Sequence, residues 1–488
     1  MDRTDELAAV IRRGGWAVIA ALVVVASIVG SHPSSAALAT ALPASKVDWP
    51  TYGDSVMRTG QSTAETVLSP TTVGSITQKW TYTMSAVVNT SPVEATGVAT
   101  AIGAQDLVFV GDEHGKFVAL NAQTGALVWS RTLGDVATTC NMTPDKIFGI
   151  TAAAAIDRPT NRIYVASGSG KLYALDLGTG ARVTGWPVTL TTNPSHEHVW
   201  GGLTVQGVDV YAEIGGMCDI APYRGRIIEV ATTATPAIAA TFYVVSKTKP
   251  YGGAIWGWGG ASLDPVAGAV FIATGNALAT PNNVGYAEAI VRLTTSLGLV
   301  SFNKPTLNAG KDLDFGSTPV LFQATGCPTQ LAAENKDGEL FIYDRDTIAS
   351  GPVQRIQAAP ASGGRFIGLP AWSDATQELY VALTTNNPPY THGMLALTES
   401  APGCTLTQSW NTAIGTTNTY DSPPTVANGV VYFGNGAGNI VYAMNATTGA
   451  ALWNSGTTIT GGAFAAPIVV NGMLYVPSWD DKVHAYGP

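Results

Sequence analysis

The sequence predicts an all-β fold: an eight-bladed β-propeller with four-stranded antiparallel blades, closed by pairing of the N- and C-terminal segments. Three observations predict it. A strand-turn-strand repeat recurs along most of the chain, the 54 glycines and 28 prolines fall in short clusters between apolar runs, and the last copy of the repeat stops one strand short. With 46% hydrophobic and 12% charged residues, the 488-residue chain has the composition of a globular protein with a large core. A formal net charge of −9 and the lack of a long basic cluster exclude the electrostatic footprint of a nucleic-acid binder.

Taken in chain order, Arg12 and Arg13 precede an apolar run from Trp16 to Val29, and the small residues Ser34 to Ala39 follow. This is the layout of a secretory signal peptide, with cleavage expected after Ala39. Residues 1–45 therefore read as signal peptide and linker, and residues 46–488 as a single propeller domain. An uncleaved membrane anchor is the alternative, although His32 and Pro33 interrupt the run. Export makes the protein extracytoplasmic, either secreted or associated with the cell envelope. All four cysteines lie beyond this segment, where an oxidising compartment favours disulfides, and none forms a C-x-x-C pair.

The clearest repeat runs from Asp106 to Trp129 and returns from Gly429 to Trp453. Each copy has an apolar strand, a Gly-containing turn, a second strand ending in Ala-Leu-Asn or Ala-Met-Asn, then Thr-Gly and a strand carrying Trp. Gly115 and Gly438 are expected to free the backbone at one turn, and Gly125 and Gly449 at the next. Ala119 and Ala443 let neighbouring sheets approach, and Trp129 and Trp453 fill the space between blades. A third copy spans Arg162 to Val183, with Trp186 displaced. Looser copies centre on Val208 to Val230, Ala269 to Leu293, Gln330 to Tyr343 and Glu378 to Leu397. The final copy lacks an outer strand, and Ile76 to Tyr82, carrying Trp80, supplies one from the other end of the chain.

Strand parity sorts the connections. With strands a to d counted outward from the axis, the b-to-c turns and d-to-a connections share one face, and the other turns share the opposite face. Cys140 and Cys218 fall on the first face, Cys327 and Cys404 on the second. Of the three possible pairings, Cys140 with Cys218 and Cys327 with Cys404 is the one that keeps partners together. The first face also collects His114, His196, His198, Trp200, Trp256, Asn276, Asp312, Asp314, Lys336, Phe366, Tyr420, Phe464 and Trp479. Aromatic and titratable groups at a propeller mouth make a default binding site. In His196-Glu197-His198 the two imidazoles lie on one side of an extended segment and offer a metal pair, with an ordinary polar surface loop the favoured alternative.

The repeat, with its Ala-Leu-Asp/Asn, Thr-Gly and Trp, resembles that of the pyrroloquinoline-quinone (PQQ) dehydrogenases over most of the mature chain. Polyvinyl-alcohol dehydrogenase is the nearest enzymatic comparison. The same repeat occurs in non-catalytic propellers such as the outer-membrane assembly lipoprotein, so fold alone does not assign chemistry. Gly252 to Trp256 is similar to the family segment whose indole stacks under the quinone, an ordinary inter-blade tryptophan being the alternative. Val270 to Asn276 is similar to the Thr-Gly-Asn whose amide oxygen binds Ca²⁺. Asp312 to Ser317 falls where the family carries its catalytic aspartate, which implies Asp314 as general base and metal ligand, with a turn-capping role the alternative, more so for Asp312. Asn335 to Gly338 is similar to the segment whose cation contacts the quinone oxygens, which implies Lys336 as a cofactor-binding residue.

Three departures stand against these four pieces. The family's metal-binding glutamate precedes an Arg-Gly pair; here Arg224-Gly225 is present and the nearest acid is Asp219, one residue out of register. The adjacent cysteine pair that covers the quinone is absent, and no C-x-x-C-H haem site occurs, so electrons must leave through an external acceptor. The resemblance thus implies PQQ and Ca²⁺ as cofactors and a small alcohol or a polymer as substrate. A scaffold that binds a protein or cell-envelope partner is the rival.

Overall fold

The computed structural model describes residues 46–308, 312–361, 366–415 and 420–488. The expected signal segment, from Arg12 to Ala39, lies outside the described residues. Within them helix is limited to three short 3₁₀ turns, and eight blades of four antiparallel strands follow one another, with the short strands Glu197–His198 and Gln61–Ser62 added to the third and, in parallel, to the seventh. Blade 1 comprises Val93–Thr100, Gly103–Gly111, Lys116–Asn121 and Leu127–Thr132 as strands a to d. Blades 2 to 7 begin at Ala155–Asp157, Thr204–Gln206, Ser262–Asp264, Val320–Phe322, Ala371–Ser373 and Thr425–Ala427. Blade 8 is Ile468–Val470, Met473–Ser478 and Lys482–Gly487, and its outer strand is Thr77–Thr83 from the far end of the chain.

The outer strands explain the tryptophan signature. In Thr77–Thr83 only Trp80 is buried, and its indole N–H donates to the Ala122 carbonyl of the next blade at 3.1 Å. Trp129 donates to the Leu177 carbonyl at 2.8 Å and Trp410 to that of Ala446 at 2.9 Å. Each of these indoles lies over the glycine of the neighbour's Thr-Gly. A Cβ on Gly180 would come within 2.5 Å of the Trp129 ring, and Gly180 also sits at φ 65°, so this glycine answers both a turn and a docking demand. One expectation needs correction. Gly115 takes the left-handed turn of blade 1, but in blade 7 Asn439, at φ 54°, takes it in place of Gly438.

A strap at the start of the domain ties the ring together. Trp49 exchanges two backbone hydrogen bonds with Glu94 of blade 1, each 2.9 Å. The Ile156 N–H of blade 2 donates to Pro50 O, and Thr51 Oγ1 donates to Leu203 O at the entry to blade 3. Backbone N–H groups of Leu263, Leu321, Trp372 and Val426 then donate to Val56, Met57, Thr59 and Gly60, one per blade from 4 to 7. Glu65 closes the circuit by accepting from Gly472 of blade 8 at 2.9 Å. Arg58 secures the strap's centre: it is fully buried and donates to the carbonyls of Tyr52, Gly202, Leu203 and Ala261 and to the Thr51 and Thr204 hydroxyls. Tyr52 is buried in one cluster with Ala153, Trp258 and Ala466, which come from the connections into blades 2, 4 and 8. That set of neighbours places Tyr52 at the ring axis.

The disulfides are Cys140–Cys218 and Cys327–Cys404, the pairing that strand parity predicts. Among the described residues no helix is long and apolar enough to cross a membrane.

Candidate functional site

The b-to-c turns and d-to-a connections enclose a cavity of about 690 Å³. Every d-to-a connection contributes to its wall. Asn89 precedes blade 1, Phe148 and Trp200 precede blades 2 and 3, and Trp256 and Trp258 precede blade 4. Asp312 and Asp314 precede blade 5, followed by Ile367, by Tyr420 and Asp421, and by Phe464 before blades 6, 7 and 8. Asp219 and Lys336 enter from the b-to-c turns of blades 3 and 5, and Trp479 from that of blade 8. The charged wall, from blade 3 to blade 5, carries Asp219, Asp312, Asp314 and Lys336, and aromatic groups make up much of the remaining lining, an arrangement suited to a planar ligand with polar substituents.

On the charged wall, Lys336 Nζ lies 2.7 Å from Asp312 Oδ1, 2.8 Å from Asp314 Oδ2 and 5.0 Å from the centre of the Trp256 ring. Burial works against the ammonium charge, but Asp314 and Asp312 outweigh it and hold the Lys336 pKa above its ordinary value. Burial, then the neighbouring Asp314 charge, pushes the Asp312 carboxyl up to about 6 against the pull of Lys336. The second Asp314 oxygen, Oδ1, accepts the backbone N–H of Asn276 at 2.6 Å. A Cβ on Gly275 would come within 2.5 Å of that oxygen, so the Thr-Gly-Asn glycine is what lets the carboxylate in. Gly316 plays a similar part for the indole: its Cβ would lie 2.6 Å from the Trp256 ring.

Asp219 meets this wall from blade 3. Its carboxyl is raised by burial and then by the Asp314 charge, while hydrogen bonds from Tyr223 and the Asn276 side chain pull the other way. Asn276 Oδ1 is buried and has no hydrogen-bond donor. An orphaned amide oxygen beside two carboxylates is an oxygen donor set suited to a hard cation, so these residues fit a metal. Four aspartates and one lysine line the cavity, so its own charge balance favours a cation.

The structure thus brings Trp256, Asp312, Asp314, Lys336 and Asp219 to one cavity, with Asn276 bonded directly behind Asp314. Trp200, Tyr420, Phe464 and Trp479 join them on the wall, as strand parity predicts. It separates the histidine motif, which is neither a metal pair nor a surface loop. His196 bonds to Ser195 and Asn193, whereas His198 is 3% exposed and its Nε2 pairs with Thr151 at 2.7 Å. Between them Glu197 is buried in a bidentate pair with Arg226. His114 stands outside the cavity wall, 2.5 Å from Asp145.

Sequence reasoning missed a buried polar chain behind the aromatic wall. Trp479 Nε1 donates to Asn89, Asn89 donates to Glu113 at 2.8 Å, and Thr151 links Glu113 to His198. Burial pushes the Glu113 carboxyl up to about 7, against three hydrogen bonds that lower it, and pushes His198 down to about 3. Asp421, which accepts from His392 and Asn435 at 2.9 Å each, was also missed, though its neighbour Tyr420 marks the same connection.

Family models match two parts of this chain. The beta-propeller domain of glucose, ethanol and alcohol dehydrogenases matches residues 49–191, and the outer membrane protein assembly factor BamB matches residues 399–487. A polyvinylalcohol dehydrogenase from a Pseudomonas species is 22% identical over 331 residues, covering 60% of this chain and 49% of that protein. The chain therefore spans about half the length of that curated relative. Among solved structures, a europium-containing methanol dehydrogenase superposes with TM-score 0.70 at 15% identity, over 90% of this chain and 98% of that one. The quinohemoprotein alcohol dehydrogenase of Comamonas testosteroni gives TM-score 0.68 at 16% identity, over 90% and 80% of the two chains. BamB of Moraxella catarrhalis gives 0.56 at 17%, over 85% and 100%. At these identities the structural likeness shows the fold.

Proposed function

We propose that this chain, a propeller of the PQQ-like repeat family, is an extracytoplasmic alcohol dehydrogenase that holds a quinone and a divalent or trivalent metal ion in the cavity between its connections. The observation that carries the reading is the convergence of Trp256, Asp314, Lys336 and Asp219 on one cavity, with the orphaned Asn276 oxygen behind them. In this reading Asp219, Asn276 and Asp314 would hold the metal, and Trp256 would offer the quinone an aromatic face. When bound, the quinone supplies the two-electron acceptor for the alcohol carbon.

The chain's own residues supply positioning and proton transfer. Asp314 takes the alcohol proton on Oδ2, the oxygen paired with Lys336, while its Oδ1 stays fixed by the Asn276 N–H. Lys336, pinned between Asp312 and Asp314 over the indole, presents a fixed positive charge to the oxygen where negative charge develops. Phe148, Trp200, Phe464 and Trp479 form the apolar wall that admits the carbon chain of a small or polymeric alcohol. The electrons would need an external acceptor. The two disulfides support an oxidising, extracytoplasmic setting and with it the signal-peptide reading of residues 1–45.

The test is direct. Purified protein is mixed with PQQ and Ca²⁺ or a lanthanide, and the bound-quinone spectrum and dye reduction with simple alcohols and polyvinyl alcohol are recorded. Retained quinone with alcohol-dependent dye reduction supports the enzyme. No retained quinone at micromolar concentration refutes it and leaves a propeller that binds a protein or envelope polymer, the reading that the BamB match favours.

A further inference from the structure

We propose that the Cys140–Cys218 disulfide is the positioning device of this site: it clamps the blade 3 turn so that Asp219 keeps its carboxylate aimed at Asn276 and Asp314. The inference rests on the metal reading above and goes beyond it, because it assigns a role to two residues outside the donor set.

The turn that presents Asp219 is poor in ways of holding itself. Cys218 and Asp219 stand in succession at φ 51° and 53°, the left-handed region, which is costly for the cysteine and better tolerated by the aspartate. Its one local backbone hydrogen bond runs from Ile220 to Met217 at 3.0 Å. Asp314 repels the Asp219 carboxylate, while the Tyr223 hydroxyl, the Lys336 charge and the Asn276 side chain favour it. A turn with little backbone bonding of its own and a like charge close by keeps its geometry better when a covalent link restrains it.

The disulfide is that link, and its far end is anchored. Cys140 is 1% exposed and lies in a buried cluster with Phe148, Trp200 and Met217. Its connection is braced by the short pairing of Val136–Ala137 with Ile147–Phe148 and by the Cys140 N–H bond to Thr138 Oγ1 at 2.9 Å. Cys218 itself lines the cavity, one residue from Asp219. The link therefore joins the connection between blades 1 and 2 to the blade 3 turn across the cavity rim, and blade 2 is held between them. Cys327–Cys404, on the opposite face, has almost the same sequence separation, 77 residues against 78, and does not line the cavity. The molecule thus carries its own control: two cross-links of similar loop entropy, only one of which adjoins a candidate ligand.

The experiment uses Tb³⁺ as the probe, without quinone, and reads luminescence sensitised by neighbouring indoles, with Ca²⁺ as competitor. Full-length protein, C140A/C218A and C327A/C404A are titrated, and their thermal midpoints are measured alongside. The expected result is a Tb³⁺ affinity at least about tenfold weaker in C140A/C218A, the usual scale for losing a group that orients a ligand, with C327A/C404A unchanged although both pairs lower the midpoint. Equal affinities in the two double variants, or equal losses, overturn the proposal. Should C140A/C218A not fold, the folded wild type loaded with Tb³⁺ is treated with a phosphine reductant and alkylated. Loss of luminescence must then track alkylation of Cys140 and Cys218 by mass spectrometry, and signal retained after those thiols are alkylated overturns the proposal. Wild-type protein that binds no Tb³⁺ refutes the metal reading and this inference with it, whereas tight binding in both wild type and C140A/C218A refutes this inference alone.

Discussion

Replacing Arg58 with alanine removes the centre of the strap, and the structure permits the cost to be worked out. The guanidinium serves four carbonyls and two hydroxyls in a fully buried site. Leu203 O keeps the Thr51 hydroxyl and Ala261 O keeps the Thr204 hydroxyl, at 2.9 Å each, so these two carbonyls stay satisfied. The carbonyls of Tyr52 and Gly202 lose the Arg58 donor. At roughly 1–3 kcal/mol per buried group left unpaired, the loss is about 2–6 kcal/mol before any relaxation. Glu213, an acid whose charge acts on Arg58, adds little, because burial pushes its carboxyl up to about 8 and it is mostly protonated at neutral pH. The expected penalty is therefore about 4 kcal/mol, within the range for opening a buried polar network. Guanidinium denaturation followed by tryptophan emission measures it, with limited proteolysis to locate the released strap. Arg58→Lys keeps the charge but not the fork, and should recover less than half of the loss. A penalty below about 1 kcal/mol for Arg58→Ala would show that the strap is held by its backbone bonds and that the reasoning about the guanidinium is mistaken.

Three further outcomes are expected. Asp314→Asn should abolish alcohol-dependent dye reduction while quinone remains bound; undiminished turnover removes Asp314 from the proton-transfer role. Gly316→Ala places a methyl 2.6 Å from the Trp256 ring, where contacts of about 3.5–4.0 Å are normal, so the indole must shift by about 1 Å. Quinone affinity, read by quenching of tryptophan emission, should fall at least about tenfold, and an unchanged affinity would mean that Trp256 is not the floor of the site. The third concerns pH. Glu94, Glu213 and Glu334 are pushed up to about 8 and Glu113 to about 7 by burial, whereas the unfolded chain releases these protons near 4.5. The folded state thus binds more protons, and the stability from these neutral carboxyls is complete below that lower value and is lost as pH rises through 7 to 8. The thermal midpoint should fall between pH 5 and 8.5, and Glu334→Gln should flatten the slope; a midpoint that climbs over this range contradicts the assignment.

Much of the fold was legible because blade formation is local. Strand, Gly turn, strand and Thr-Gly lie within two dozen residues, and Trp80 could be matched to blade 8 by asking which copy lacked an outer strand. The second demand on Gly180 and Gly449 was not legible, since the ring that forbids a side chain there belongs to the previous blade. The strap was invisible for a related reason. Trp49 to Ser62 matches no repeat, and its partners run from Glu94 to Val426, so no periodicity marks it. At the site, parity alone placed Trp256, Asp314 and Lys336 on one face. It put His198 on that face too but could not give its character, which is decided by the burial that Phe148 and Trp200 create in packing against it.

The strap also bears on how such a chain reaches its final state. It is synthesised before every partner it binds, and it meets those partners in the order in which they are made, from Glu94 through Ile156 and Leu263 to Val426. A nascent chain can therefore assemble its blades one at a time against a segment already present, each arrival converting a distant contact into the next neighbour along a growing arc. The circle still cannot be locked until Lys482–Gly487 is made and captures Thr77–Thr83. Until then blade 8 has an unfilled edge, and the outer strand waiting near the other end is the piece most exposed to capture by a second molecule. The same geometry that leaves the finished ring without a seam makes its last step the one at which two incomplete copies can join instead.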